Sequence, residues 1–210
     1  MSVVPLYSPD GQRLKTEASE RSYYQPIIDR IFKKQHNSTF CGVVSSVLAM
    51  NAYLIGKHGN DDQLPFSEAN MFSLKETNSI LTESVVSKEG CTLQQITDLV
   101  RAHGYLATMH PAADSSVEEF RTKAKSALSH KDSSCSVIIN YDLKVIYPGQ
   151  TVSGHFSPLC GYHEDSDSFL ILDTWPATDE CWVTSHHLFH SMNTVDTSTS
   201  KTRGYIIVSQ

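Results

Sequence analysis

Long apolar runs are missing from this chain. Even Val43–Ile55 is broken by Ser45, Ser46 and Asn51, whereas a membrane-crossing helix needs about 20 predominantly apolar residues. Positive charge is also in deficit. Seventeen Lys and Arg stand against 23 Asp and Glu, a net charge of −6, which argues against a groove that tracks phosphates and so against a nucleic-acid partner. Met1 to Arg13 lacks the basic segment and apolar stretch of a secretory leader. Cysteine is sparse and odd in number. The five, at 41, 91, 135, 160 and 181, show neither the paired spacing of a zinc site nor a disulfide framework. Reduced thiols and a cytoplasmic location are expected, with export as an effector into another cell left open. His186 and His190 are one helical turn apart but lack the Glu of a zinc-hydrolase signature, and no Gly-Lys-Ser/Thr follows Gly149 or Gly154. No protein-bound metal site is expected.

What is present suits a single packed domain: 210 residues, 40% of them hydrophobic. Residues 1–24 are polar and read as a lead-in arm; 25–210 read as the domain proper. Apolar residues from Cys41 to Ile55 predict a buried helix. Thr92 with Gln95 has capping-box spacing ahead of Leu93, Ile96, Leu99 and Val100, and Ser116 with Glu119 repeats it. Gly56, Gly59 and Pro65 punctuate a loop over 56–67. The second half changes period. Cys135–Tyr141 is a strand-length apolar run, His155–Tyr162 and Phe169–Asp173 flank a polar turn as a hairpin would, and Gly204–Ser209 closes. Helices first and antiparallel strands later make an α+β chain, read as a helical lobe and a β lobe with a site in the cleft between them.

Three residues could carry chemistry there. Cys41 follows a polar loop and opens the apolar helix, where unpaired amides and the positive dipole end stabilise negative charge. Gly42 leaves backbone room for a substrate, and Gln35, six residues upstream, has an amide that could donate to an oxyanion. His155, at the start of a strand, could serve as the base for a thiol. Asp173 ends an apolar strand, where an unpaired carboxylate is costly. With the hairpin turning near 164–166, His155 and Asp173 share one end of adjacent strands, so that the Asp could fix the imidazole tautomer.

The order Gln35, Cys41-Gly42, His155, Asp173 resembles the papain-type thiol hydrolases. More specifically, Thr39-Phe40-Cys41-Gly42-Val43, Gly154-His155-Phe156-Ser157-Pro158 and Leu170-Ile171-Leu172-Asp173 resemble the phytochelatin synthase family. The likeness runs on through Trp182-Val183 and Val195-Asp196 to Lys201-Thr202-Arg203-Gly204-Tyr205, covering about residues 25–210. It implies a papain-like fold with Cys41 as nucleophile, His155 as base and acid, Asp173 as orienting residue and Gln35 as oxyanion donor. It also implies a glutathione γ-glutamylcysteinyltransferase without an organic cofactor. Glycine would leave, and the acyl group would pass to a second glutathione or to water. Asp196 and Arg203 fall where the family recognises the γ-glutamyl end, with Gly42 and Gly154 beside the nucleophile and base.

Two departures modify the expectation. The sequence stops at residue 210, where plant members continue into a cysteine-rich region, so a short bacterial-type member is expected, with the heavy metal (Cd or Zn) arriving as a glutathione thiolate complex. The basic residue of plant members three positions after the catalytic Asp is Pro176 here, so hydrolysis to γ-glutamylcysteine is expected over chain elongation. A homodimer is compatible with the resemblance. Two alternatives stay open: a papain-like peptidase on peptide or protein substrates, for which Asp196 and Arg203 have no evident task, and a non-enzymatic thiol metal buffer.

Overall fold

The computed structural model describes residues 3–20, 23–59, 64–130 and 132–210. In chain order a short strand β1 (Val3–Pro5) precedes helices α1 (Pro9–Glu20), α2 (Pro26–Ile31) and α3 (Cys41–His58). Then come α4 (Lys75–Asn78), α5 (Glu83–Glu89), α6 (Leu93–Ala102), β2 (Leu106–Pro111) and α7 (Val117–Leu128). The second half holds β3 (Cys135–Asp142), α8 (Leu143–Ile146), β4 (Gly154–His163), β5 (Ser168–Ile171), β6 (Cys181–Thr184) and α9 (Ser185–Met192). A hairpin of β7 (Val195–Asp196) and β8 (Lys201–Thr202) leads into β9 (Gly204–Ser209).

Local sequence explains the helix starts. Thr92 and Gln95 form the complete reciprocal cap of α6, and the Ser116 side chain accepts from the Glu119 amide at the start of α7. Pro26 opens α2, where its missing N–H costs nothing. Helix α3 is apolar around most of its circumference and is accordingly buried on nearly every side over Cys41–Ala52. It runs to His58, past the start of the loop expected over 56–67; residues 60–63 of that loop lie outside the described residues.

Seven strands form one antiparallel sheet in the order β1-β6-β5-β4-β3-β9-β2. Successive residues point to opposite faces. Ile138, Leu170, Trp182, Ile206 and Val208 pack with α3 and α6 on one side. Val137, Ile139, Phe169, Ile171 and Tyr205 pack with α7 and α9 on the other. The chain is therefore α+β as expected, but its helices are not confined to one lobe. Both faces of the sheet are covered, which is why strands such as Cys135–Tyr141 read as apolar runs rather than alternating ones. The β4–β5 hairpin forms as expected, with a register shift at Cys160 between the Leu159–Ile171 and Gly161–Leu170 pairs.

The polar arm expected over 1–24 is instead part of the sheet and core. Val3, Val4 and Pro5 pair with Val183, Trp182 and Cys181, and Leu6, Leu14 and Ala18 are buried in the α3 core. Two apolar residues four apart on an otherwise polar helix suffice to dock it, a sparser pattern than a 12-residue amphipathic stripe. The Trp182 indole donates to Gly11 O at 3.0 Å. A Cβ on Gly11 would fall 2.1 Å from Pro5 O and 2.6 Å from Leu6 O, so the turn joining β1 to α1 closes only over glycine. Gly11→Ala should cost about 1–3 kcal/mol, read as a lower urea midpoint; an unchanged midpoint would mean that this segment adds nothing to the fold.

Candidate active site

Three separate parts of the fold meet at one end of the sheet. Helix α3 presents Cys41 at its first position, β4 presents His155 at its second, and Asp173 lies two residues beyond β5. Phe40 precedes Cys41 without capping the helix through its side chain, so the first amides of α3 are left to other acceptors. Gly42 packs directly on Ile96 and on Phe156, the residue after His155: a Cβ there would come within 2.7 Å of Ile96 Cδ1 and 3.3 Å of Phe156 Cδ2. The space expected for substrate at Gly42 is thus filled by side chains, and the glycine serves the close approach of α3 to the sheet. That approach sets the Cys41 thiol beside the His155 ring, close enough for their charges to interact.

Asp173 completes the line. Its Oδ1 accepts from His155 Nε2 at 2.9 Å and from the Trp175 amide at 2.9 Å, and its Oδ2 accepts from Tyr141 OH at 3.1 Å. The side chains of His155 and Asp173 are 1% and 0% exposed, so their attraction is little screened by solvent. Burial opposes a charged imidazole, but hydrogen bonds to Asp173 and Cys41 and the charge of both outweigh it, holding the His155 pKa up at about 9. Burial likewise opposes the Asp173 carboxylate. The hydrogen bond and charge of His155, followed by the Trp175 amide and Thr178, overcome it and hold its pKa below the usual carboxylate range. With Nε2 engaged by Asp173, the other ring nitrogen is left for Cys41. Tyr141 stands edge-on to the imidazole at 5.5 Å and Trp175 at 6.3 Å, walling it off.

Gln35 is 2% exposed, and its amide is committed to the loop before Cys41. Nε2 donates to Asn37 O at 2.9 Å and Ser38 O at 3.0 Å, and Oε1 accepts from Thr174 Oγ1 at 3.1 Å. As it stands Gln35 shapes the loop that delivers the nucleophile; to serve an oxyanion it would have to release one of those carbonyls.

Asp196 and Arg203 sit on and just after the β7–β8 hairpin, without an ion pair between them among the described residues. Asp196 Oδ1 accepts from Ser198 N at 3.0 Å and Ser198 Oγ at 2.7 Å. Arg203 is 4% exposed. Its Nη1 donates to Thr194 Oγ1 at 3.0 Å and Val195 O at 2.7 Å, and its guanidinium lies against Gly154, the neighbour of His155. Among the described residues, Arg203 Nε is buried with no hydrogen-bond partner, as is Asn140 Oδ1. Asn140 donates to His155 O at 3.3 Å and joins Asp196, Lys201, Thr92 and Gln94 in lining a cavity of about 90 Å³. An unpaired buried donor and an unpaired buried acceptor beside a base are what a zwitterionic ligand head would satisfy. A larger cavity of about 570 Å³ between α2, α3 and residues 64–69 is lined by none of Cys41, His155 or Asp173, so chemistry rather than volume marks the site.

Sequence reasoning missed Tyr141, Asn140 and Thr174. Tyr141 and Asn140 end the run already read as a strand, and the β3–β4 register sets them opposite His155 and Phe156. That pairing is not visible without the fold. All five cysteines are free.

A family model described as phytochelatin synthase matches residues 1–205. The chain is 30% identical to glutathione gamma-glutamylcysteinyltransferase 1 of Lotus japonicus over 217 residues, covering 99% of this chain and 40% of that protein. It is 29% identical to glutathione gamma-glutamylcysteinyltransferase 1 of Triticum aestivum over 215 residues, again 99% of this chain and 40% of the other. A Schizosaccharomyces pombe glutathione gamma-glutamylcysteinyltransferase is 32% identical over 130 residues, 60% of this chain and 30% of that protein. The chain thus spans about two fifths of the length of the plant relatives.

Replacing Asp173 with Asn removes the charge that raises the His155 pKa and leaves a weaker, neutral acceptor. The His155 imidazolium, its pKa held up at about 9 in the parent, should lose its proton at lower pH, read as an NMR titration of the ring. Stability follows the same pair. A raised folded-state pKa adds stability that is fully present below pH 6.5, declines between 6.5 and about 9, and is gone above. Urea unfolding of parent and Asp173→Asn chains should therefore converge as pH rises through 9; a difference that stays constant across that window would place the stabilisation elsewhere.

Proposed function

The chain belongs to the phytochelatin synthase family, and from that premise we propose that it is a thiol acyltransferase acting on glutathione. The observation that carries the proposal is the contact of Cys41 with an imidazole that a buried carboxylate orients, beside a buried Arg203 with a donor to spare. Cys41 sulfur attacks the carbonyl carbon of the cysteinyl–glycine bond. The oxyanion forms at the start of α3, where the free amides and dipole favour negative charge. His155 gives its proton to the departing glycine nitrogen, the C–N bond breaks, and a γ-glutamylcysteinyl thioester remains on Cys41. His155 then takes a proton from the incoming nucleophile, the amine of another glutathione or a water, as the thioester bond breaks. Asp173 holds the ring in the tautomer and orientation both steps need. A helix-borne thiol facing a strand-borne imidazole also supports the papain-like assignment.

The γ-glutamyl end presents a carboxylate and an ammonium. Arg203 suits the first through its unused Nε, and Asp196 with Asn140 Oδ1 suits the second. The cavity lined by Asp196 and Asn140, with Arg203 next in sequence to its Thr202, is far smaller than the roughly 300–1,000 Å³ of sites that enclose drug-sized ligands; it fits one amino-acid head, leaving the thiol and scissile bond over Cys41. A cytoplasmic chain would meet its heavy metal as cargo of the substrate, a Cd or Zn glutathione thiolate. Pro176, lacking a cation for the acceptor, favours water, so release of glycine and γ-glutamylcysteine should exceed chain elongation.

Cys41→Ser should lower glycine release by on the order of 10³-fold or more, as loss of a nucleophile does elsewhere. Intact-mass spectrometry of the parent with glutathione should show a γ-glutamylcysteinyl adduct that this variant lacks; glycine release that survives the substitution would overturn the reading. Arg203→Lys keeps the charge but not the fork, and should lower kcat/KM about 10- to 100-fold, the worth of roughly 1.5–3 kcal/mol in a charged hydrogen bond. Product chromatography with cadmium should show mostly γ-glutamylcysteine; a ladder dominated by longer oligomers would refute the preference for water.

A further inference from the structure

Lys34 directly precedes Gln35, and its ammonium is fully engaged. Nζ donates to Asp173 O at 2.7 Å and to Thr178 O at 2.8 Å, and pairs with Glu180 Oε1 at 2.7 Å. Three hydrogens meet three acceptors, and all three acceptors lie in residues 173–180, the irregular link between β5 and β6. The last sheet-like bond before this link is Leu172 N to Pro158 O at 3.1 Å. Beyond it, the backbone around Asp173 is held by single bonds from β4 and by the segment ahead of α3. Lys34 holds the Asp173 carbonyl, Gln35 N donates to Thr174 O at 3.0 Å, and Thr174 N donates to Ser157 Oγ at 3.3 Å. Glu180, with a side chain only 5% exposed, sits at the far end of the link, one residue before β6. Lys34 therefore grips the link at both ends and ties it to the strand of chain that runs into Cys41.

We propose that Lys34 is a positioning residue for the catalytic line: by holding the Asp173 carbonyl while neutralising Glu180, it fixes the carboxylate against His155 Nε2 and sets the separation between the loop bearing Asp173 and the loop bearing Cys41. Lys34 touches no reacting atom and acts through Asp173. The inference rests on Cys41 and His155 working as nucleophile and base, and not on glutathione as the substrate. The ionisable groups around His155 are Asp173, Cys41 and Tyr141, with Arg203 behind Gly154. Those around Lys34 are Glu180, Asp173 and Cys181. Removing Lys34 alone would leave Glu180 buried without a cation, with only Tyr7 beside it, and confuse charge with geometry. A charge-neutral pair of substitutions separates them.

The test uses the full chain, with Cys41 alkylation by iodoacetamide followed across pH by peptide mass spectrometry, alongside circular dichroism and urea unfolding. Lys34→Met combined with Glu180→Gln should alkylate Cys41 about tenfold more slowly at neutral pH, inside the up to 10²-fold that a ~1 Å misplacement costs. Its rate at strongly alkaline pH, where the sulfur ionises without help, should match the parent. Lys34→Arg should restore most of the neutral rate. A folded double variant with the parent's pH profile overturns the proposal, and so does one slowed equally at every pH. Should the double variant fail to fold, Lys34→Gln, which keeps two N–H donors without the charge, should show an intermediate shift, and an unchanged profile there overturns the proposal equally. Alkylation needs no glutathione. A chain whose Cys41 alkylates as described but releases no glycine would sink the substrate assignment and leave the positioning role standing.

Discussion

A carboxylate with no solvent contact keeps its charge only if something of opposite sign touches it. Asp173 meets that condition through His155 at 2.9 Å, and the arrangement around both follows from the need to satisfy the pair. Tyr141 supplies a hydroxyl from β3, Trp175 an amide from the same loop, and Lys34 a grip on the Asp173 carbonyl from the chain ahead of α3. The ring gains a high proton affinity although burial works against it. That balance is what makes an imidazole useful beside a thiol: it stays charged while the sulfur is a nucleophile and can still surrender its proton to a leaving amine.

Rigid and irregular elements divide the work. The sheet places His155 through the Tyr141–His155 and Asp142–Gly154 pairs, and α3 places Cys41 through tight packing of Gly42 on Ile96 and Phe156. Asp173 lies past its strand, so its position depends on side chains that reach in from elsewhere. The substrate-facing part is built differently again. The β7–β8 hairpin swings Asp196 and Lys201 toward the start of α6, while Arg203, at its base, is anchored by Thr194 and Val195. Donors spent on the protein hold the guanidinium still, while Nε is buried without a hydrogen-bond partner among the described residues.

Burial of the whole line also bears on what can be turned over. A small cavity lined by Asn140 and Asp196 has room for the head of a short molecule, whereas an extended polypeptide would need a run of side-chain subsites. The longer relatives carry more chain than is seen here, about three fifths of their length. The residues proposed as nucleophile, base, orienting acid and glutamyl-recognition groups all lie within 35–203.

Residue order alone was enough to identify the helix that Cys41 opens, the hairpin bearing His155, the caps of α6 and α7, and the α+β class. Each rests on a local period or cap that acts over a few residues. Other features were decided only by tertiary structure. The N-terminal segment looked like a polar arm because two strand residues and two buried helix residues leave too faint a period, yet pairing with Val183 and Trp182 draws it into the sheet. Gly42 looked like room for a ligand, and packing filled that room with Ile96 and Phe156. The roles of Tyr141, Asn140 and Lys34 depend on contacts across 15 to 146 positions of chain. Such contacts leave no local periodicity, since a hydrogen bond between distant strands constrains where two residues meet and not how their neighbours alternate.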